Sequence, residues 1–415
     1  MTPEERIDRF DLLNTVFRPG APVDSEDLFS GRIEQLASVQ DAISAVGQHA
    51  VIFGERGVGK TSMAATCAAI ARHRGRIAMR VNCDHGDDFP SLWQKVIDEF
   101  EAVTASAPTD RQPALKTATE KATEVLNFDV IGPNQVRVAF RHLTQITPVV
   151  IFFDEFDQIS DGETLTLVSN TIKLLSDQLE EVTLVPVGVS ESVADLIAGH
   201  LSIQRNLAQV RLPRMDRNEI EGILDNGLAK LNMSVTEEAR RFVRIIPRGF
   251  PQYAHLLAQE GARHAIYQDQ TTITFNDIFS GTEVGLRKLD HSLSTAFDEA
   301  TITANRSNYA DVLFACVWGK PDSDGYFSPA SIREAFSIIA GRARDIHHFN
   351  PQLKTLSEER GQILHRKGTT RLHRYRFSDP LMEPYVLLRG MQSGRIDPAR
   401  MLRSDDDSTE SPQPS

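Results

Sequence analysis

Eight residues constrain this chain more than any other stretch: Gly54-Glu55-Arg56-Gly57-Val58-Gly59-Lys60-Thr61, with Ser62 behind them. The apolar run Val51-Ile52-Phe53 precedes them and an Ala-rich helical pattern follows. The motif G-x-x-x-x-G-K-T therefore stands in the strand, loop, helix setting that it requires. Glycines let backbone N–H groups turn inward around phosphate oxygens, and the helix N-terminus behind them adds the positive end of its dipole. Lys60 is the mobile charge for β- and γ-phosphates, and Thr61 offers a hydroxyl to Mg²⁺. Residues 54 to 62 are the expected phosphate-binding set.

A second signal is Val149-Val150-Ile151-Phe152-Phe153-Asp154-Glu155. A buried strand ending in two acids is costly unless the acids face a cation or a solvent-filled cleft. Asp154 fits the carboxylate that holds Mg²⁺ through water, and Glu155 the base or orienting group for an attacking water. Asp157 follows but sits past the strand tip, outside the catalytic set. A third apolar strand, Val182-Val189, ends in Ser190, which reaches the γ-phosphate or the water if this strand lies beside the phosphate-loop strand. A plain capping serine is the competing reading.

Around these motifs the pattern predicts an α/β fold: a parallel P-loop NTPase sheet with helices on both faces, then an all-helical lid and a winged-helix domain. The expected strands are Ala50-Phe53, Ile77-Asn82, Val149-Phe153, Val182-Val189 and Gln209-Leu212. The expected domains are an N-terminal lead-in (1–48, helical from Arg32 to Val46), the α/β domain (49–214), the lid (215–292), the winged helix (296–392) and a disordered acidic tail (393–415). Thr104 to Thr123, rich in Ala, Thr and Pro, reads as an excursion from the core, flexible or weakly helical. Asp216 is a plausible N-cap for Arg217-Leu231, and Thr236-Ile246 and Gln252-Tyr267 continue the helical pattern. Ser328-Pro329 and Asn350-Pro351 read as caps with proline at the first helical position. Gly361 stops the third helix, and a hairpin turning at Lys367-Gly368 follows.

Taken together, these features resemble the AAA+ and STAND branches of the P-loop ATPases, especially the initiator-like, origin-recognition type with a C-terminal winged helix. Further stretches match. Phe29-Ser30-Gly31-Arg32 resembles the box that lines the adenine pocket, implying Phe29, Gly31 and Arg32 as nucleotide contacts. Ser202-Ile203-Gln204-Arg205 resembles the segment carrying an arginine finger, implying that Arg205 acts in trans across a subunit contact. A surface arginine pairing with an acid is the alternative. Gly249-Phe250-Pro251 resembles the lid G-x-P of STAND ATPases, where Pro251 packs near the base. Tyr375-Arg376-Phe377-Ser378-Asp379-Pro380 resembles the end of the winged helix. One departure stands out: many AAA+ lids place an arginine after the glycine, and here none follows Gly249, although Arg248 precedes it.

Charge limits the partners. The whole chain carries −12, which argues against indiscriminate polyanion binding. Residues 341–376 nonetheless hold nine bases and three acids, a local excess of +6. A hairpin bearing Arg366, Lys367, Arg371, Arg374 and Arg376 is a pattern for duplex DNA. The third helix between Pro351 and Arg360 has no net charge, so the alternative is that the wing pairs with acidic surface on the ATPase domain or a neighbouring subunit. His347-His348 lacks a carboxylate or cysteine at metal-ligand spacing. No apolar run nears the roughly 20 residues that span a bilayer. Met1 to Arg6 does not read as a secretory signal. Three scattered cysteines suit a reducing cytoplasm, the expected location.

The expectation is thus a cytoplasmic ATPase using ATP and Mg²⁺. Its nucleotide state would control homo-oligomer assembly and engagement of DNA or a separate effector protein, as a signalling or defence switch or a regulator of DNA transactions. A DNA-binding initiator or loader acting through the wing is the first alternative. A nucleotide-binding scaffold with negligible turnover is the second.

Overall fold

The computed structural model describes residues 2–22, 31–106, 110–126, 131–178, 181–190, 192–196, 205–289, 291–302, 307–319, 321–322, 325–369 and 372–406. They fall into two compact units, Ala21–Arg214 and Met1–Gly20 with Met215–Ser415. The first helix, α1 (Pro3–Val16), belongs to the second unit rather than forming a lead-in to the α/β unit. A capping box between Thr2 and Glu5 starts it.

The α/β unit runs α2 (Ile33–Ser44), β1 (His49–Gly54), α3 (Lys60–His73), β2 (Ile77–Asn82), α4 (Phe89–Ser106), α5 (Gln112–Leu126), α6 (Pro133–Thr144) and β3 (Val149–Asp154). It continues with α7 (Gly162–Asp177), β4 (Val182–Val189), α8 (Val193–Leu196) and β5 (Leu207–Arg211). The strands form one parallel sheet in the order β2-β3-β4-β1-β5. The α/β expectation holds, with each expected strand present to within two residues at its ends.

Side chains alternate between the two faces of the sheet. Val51, Met79, Ile151, Phe153 and Leu184 join α4 to α7 in one apolar cluster, centred on Trp93. Its ring meets those of Phe89, Phe140 and Phe153 edge-on at 5.9, 5.5 and 5.7 Å. The opposite face carries small Ala50 and Ala78, and the buried alanines of α3 pack close there.

The segment 104–123 is a correction to the sequence reading. Most of it lies in the end of α4 and in α5, where Leu115, Ala118, Ala122 and Leu126 form a buried stripe at helical spacing. Alanine is the best helix former, and Ala118 and Ala122 let α5 sit close to its neighbours between the Leu115 and Leu126 anchors.

Pro186 and His49 share one explanation. The ladder of β4 with β3 ends at Phe153↔Pro186, and its ladder with β1 begins at Ile52↔Val187. Proline, which has no N–H, thus falls at the changeover. Before that point β1 does not pair with β4, and the buried His49 Nδ1 accepts the Leu184 N–H at 2.9 Å.

In the second unit come α9 (Arg217–Leu231), α10 (Glu237–Ile245), α11 (Pro251–Tyr267), α12 (Phe275–Leu289) and the two-residue parallel pair β6 (Ser234–Val235) and β7 (Thr272–Ile273). Asp216 caps α9 with Glu219 in a capping box, and Thr236 caps α10. α1 packs on α9 and α11. Phe17 lies so close to Gly227 that a Cβ there would stand 2.2 Å from its ring.

Then follow α13 (His291–Thr301), α14 (Tyr309–Cys316), α15 (Arg333–Ile339), α16 (Asn350–Glu358), the hairpin β8 (Leu364–Lys367) and β9 (Arg374–Phe377), α17 (Met382–Gln392) and α18 (Pro398–Asp406). Phe327 adds an antiparallel bridge to Tyr375. Arg360 donates to the carbonyls of Glu299, Ala300 and Ile302, covering the C-terminal end of α13. Ser328-Pro329 is not a helix cap: Ser328 accepts from Ser331 N–H in a turn, and the helix begins at Arg333. Asn350 is itself helical, with Pro351 one residue further in. The expected tail needs correction over 398–406, which is helical. There Met401 and Leu402 are buried, and the Leu402 carbonyl accepts from Arg241 at 3.0 Å. Among the described residues no helix is long and apolar enough to cross a membrane.

Two buried histidines set a pH limit on stability. Desolvation pulls His49 and His255 down to about 4 from 6.5. Both are neutral in the fold and protonate more readily when unfolded. Their contribution is complete above pH 6.5 and lost as pH falls toward 4, by up to roughly 3 kcal/mol each. Among the described residues His255 Nδ1 has no hydrogen-bond partner, and its ring lies edge-on to Phe17. His255→Phe is therefore expected to reduce the slope of unfolding free energy between pH 6.5 and 4 by about one proton, read from denaturant titrations across that range.

Candidate functional site

The loop after β1 has the shape its glycines dictate. Gly57 and Gly59 take φ of 82° and 94°, the left-handed region that glycine adopts without strain. Gly54 is required for a different reason: a Cβ would lie 2.4 Å from the Leu212 carbonyl oxygen. α3 starts at Lys60 with Gly59 as its N-cap, so the loop amides and the helix N-terminus converge. The buried Lys60 Nζ donates to the Gly54 and Glu55 carbonyls at 3.1 and 2.8 Å. Burial pulls its ammonium down to about 8. Asp157, then Asp154 and Glu55, oppose that, while Arg32 works with it.

β3 delivers Asp154 to the same place. The Thr61 hydroxyl donates to Asp154 Oδ1 at 3.3 Å, and the Glu155 N–H reaches the same oxygen at 3.1 Å. Asp154 is 3% exposed. Burial raises its carboxyl above the usual range, against the pull of Arg80, the Glu155 amide, Thr61 and Lys60. A hydroxyl and a buried carboxylate, both hard oxygen donors, suit Mg²⁺, which takes one or two protein oxygens and leaves its remaining positions to phosphate and water. Among the described residues no larger group of metal-ligating side chains exists. Glu155 is exposed and adopts φ 55°, uncommon for a side-chain-bearing residue, so its carboxylate leaves the strand direction just past Asp154.

β4 pairs directly with β1, and Gly54 stands level with Val189. Ser190 is therefore beside the phosphate loop, although its hydroxyl donates to the Ser192 carbonyl at 2.6 Å. Arg205 is solvated, its side chain 73% exposed, with Asp177 at 3.9 Å. Gly31 and Arg32 both have positive φ, and the buried Arg32 Nη2 donates to the Pro213 carbonyl at 2.8 Å. Phe29, Ser30 and 202–204 lie outside the described residues, as does Arg371.

Three partners were not expected from the sequence. Arg80, the lone cation in the apolar strand Ile77-Asn82, has Nη2 3.8 Å from Asp154 Oδ2. Arg214 holds Glu55 with two contacts, at 2.8 and 3.3 Å. Asp157 accepts the Val189 N–H at 2.7 Å. Arg80 was discoverable as a charge inside a buried pattern; the other two depend on tertiary placement.

In the second unit, Pro251 is the first residue of α11 behind the buried Phe250. Arg248 is engaged locally: Nη2 donates to the Val317 carbonyl at 3.0 Å and Nε is 3.7 Å from Glu383. The hairpin register pairs His365 with Arg376 and Lys367 with Arg374, putting all four side chains on one face. Arg376 and Lys367 lie 4.7 and 5.6 Å from the Tyr326 ring, and Arg374 pairs with Asp322. Arg366 falls on the other face, paired with Glu358. The His347 and His348 rings lie against each other, centroids 4.0 Å apart.

Residues 28–185 match the family model described as AAA ATPase domain. No curated protein matches the chain. Similar solved structures include the ORC2 protein of Aeropyrum pernix in ADPNP and ADP complexes, at 11% identity and TM-score 0.48, covering 94% of this chain and 98% of that one. The ORC1 protein of Aeropyrum pernix in complex with DNA is similar at 14% identity and TM-score 0.43, covering 93% and 97%. A Walker-type ATPase of Pyrococcus abyssi is similar at 15% identity and TM-score 0.48, covering 89% and 99%.

The Glu55–Arg214 pair is bidentate but about a third exposed, 37% and 30%. Solvent screening limits its coupling to about 1 kcal/mol. Glu55→Ala, Arg214→Ala and the double variant are expected to show that coupling in a denaturant double-mutant cycle; strictly additive losses would mean the pair adds nothing.

Proposed function

We propose that this chain is a Mg²⁺-dependent ATP-binding and hydrolysing switch whose nucleotide state controls self-assembly and engagement of partners. The observation that carries this reading is the convergence of Lys60, Thr61 and Asp154, on a phosphate loop whose glycines have the required backbone, within a segment matching the AAA ATPase domain. Loop amides 54–62 cradle phosphate oxygens, and Lys60 exchanges its bonds to its own loop for bonds to phosphate. Thr61 and Asp154 would hold Mg²⁺, whose charge would offset that of the phosphates. Glu155, exposed beyond the strand end, orients the attacking water and takes its proton. Ser190 at the end of β4 reads the γ-phosphate side. Gly31 and Arg32, with Phe29, border the base, and Pro251 belongs to a STAND-type lid over 215–292. Arg205, exposed beside Asp177 in the single chain, would exchange that contact to serve a second copy in trans.

A second reading, duplex DNA as the partner, has its own support. The helix order α14, α15, α16 with the β8–β9 hairpin suits a winged helix over 296–392, and one hairpin face carries Lys367, Arg374 and Arg376. On this reading Arg366, tied to Glu358, shapes the wing and the other three meet phosphates. The first reading takes an acidic protein as the partner of the same face. The third, a scaffold with negligible turnover, draws on Arg248 being engaged away from a lid role.

Glu155→Gln is expected to keep ATP affinity while turnover falls at least 10²-fold, measured as phosphate release beside equilibrium binding. Normal turnover in that variant removes Glu155 from its role, and a wild-type chain without turnover selects the scaffold. For DNA, Lys367→Ala with Arg374→Ala is expected to shallow the salt dependence of duplex binding by about two in log–log slope. Wild-type chain that ignores duplex at low salt favours the protein partner.

A further inference from the structure

We infer that Asp157 is a positioning residue that locks the tip of β4, and with it Ser190, to the Asp154-Glu155 turn; this rests on the ATPase reading above. The β3–β4 ladder stops at Phe153↔Pro186, three residues before the end of β4. Beyond it, the link from β4 back to the β3 turn is a side chain: Asp157 Oδ1 accepts the Val189 N–H at 2.7 Å. Gly188, a glycine inside the strand Val182–Val189, makes room for this contact. A Cβ there would stand 2.7 Å from Asp157 Oδ1, 2.7 Å from Leu196 Cδ1 and 3.1 Å from the Asp157 amide. A glycine in a strand interior commonly marks such a close approach.

The other end of the lock is rigid. Phe156 and Ile159 are buried in the α/β core, so Asp157 hangs between two anchors. Gln158 N–H closes the turn onto the Glu155 carbonyl at 2.9 Å, which ties the backbone of Glu155 to the same short helical turn (Phe156–Gln158). Asp157 therefore sits on a turn capped by the proposed base, and its carboxylate holds the strand whose next residue is the proposed γ-phosphate sensor. Both groups are set by one contact, so losing it misplaces Ser190 relative to Glu155 without removing either. Loss of alignment at a reacting centre lowers turnover more than ground-state affinity.

The test separates hydrogen bond from charge. Asp157→Asn keeps an Oδ1 acceptor and loses the charge; Asp157→Ala loses both; Gly188→Ala pushes the partners apart. In the full chain, Asp157→Ala is expected to speed amide exchange over 187–190 by about tenfold or more, and to lower kcat by about tenfold with ADP affinity within about threefold. Asp157→Asn should recover most of both effects, and Gly188→Ala should reproduce the alanine result. Unchanged exchange in Asp157→Ala overturns the lock, as does faster exchange with undiminished kcat, or an Asn variant as impaired as Ala. Melting curves on each variant show that it folds; if Gly188→Ala does not, the Ala and Asn pair at 157 decides alone. A wild-type chain with no turnover ends the ATPase reading, while the exchange comparison still decides whether Asp157 holds β4.

Discussion

The structure depends on β4 lying between β1 and β3 in parallel register. Its two ladders bring the carboxyl ends of three strands to one rim, with Gly54 level with Val189 and Phe153 level with Pro186. Every group of the site follows from it. Lys60 and Thr61 enter on the helix after β1, Asp154 on the last residue of β3, and Ser190 on the residue after β4. Parallel strands require buried faces, and the two helical layers supply them. Asp154 then faces a desolvation cost, offset by Arg80, the Glu155 amide, Thr61 and Lys60. A dication at that position would complete the compensation, which is why a carboxylate this buried suits a metal-binding role.

What could be read in the sequence was what is local in the chain. The phosphate loop needs its chemistry at eight consecutive positions, so the sequence and the folded loop say the same thing. Asp154 and Glu155 end an apolar run, and Asp216 sits three residues before its capping-box partner Glu219. What escaped was whatever depends on distant partners. Glu55 and Arg214 are 159 residues apart, and nothing in either neighbourhood announces the pair. α1 fell inside the expected lead-in, and nothing local in it marks a helix that belongs to the unit containing Met215 onward. The burial of α5 escaped because only small residues stand between its two buried leucines, Leu115 and Leu126, and apolar periodicity weights large side chains.

The basic segment shows how far a charge count carries. The excess of +6 over 341–376 counts every base alike. In the fold, Arg360 covers a helix end, Arg366 pairs with Glu358, Arg374 with Asp322, and Lys354 lies 3.8 Å from Glu358. Strand alternation also divides the cations of the hairpin: Arg366 points to the buried side with Tyr375, while Lys367, Arg374 and Arg376 share the other. The local excess keeps its positive sign, because an ion pair cancels only its own charge. The donors left for a partner are fewer than the count suggests, and Lys367 and Arg376 are both held at the Tyr326 ring. An aromatic platform under two cations restricts their rotamers, which lowers the entropy lost on docking to an anion.

The segment leaving the sheet is built into the phosphate loop rather than lying beside it. Leu212 N–H donates to the Phe53 carbonyl at 2.8 Å, Gly54 leaves no space for a side chain against the Leu212 carbonyl, Arg32 holds the Pro213 carbonyl, and Arg214 holds Glu55. Four consecutive contacts therefore bind residues 212–214 to positions 53–55 and to the Gly31-Arg32 box. Lys60 donates to the carbonyls of Gly54 and Glu55, two of those same residues. Any ligand that draws Lys60 toward phosphate removes a donor from the backbone on which the Arg214 contact rests. Arg214 is also the residue at which the α/β unit ends. The phosphate loop and residues 212–214 thus share one set of contacts, built through Glu55, Gly54 and Arg32.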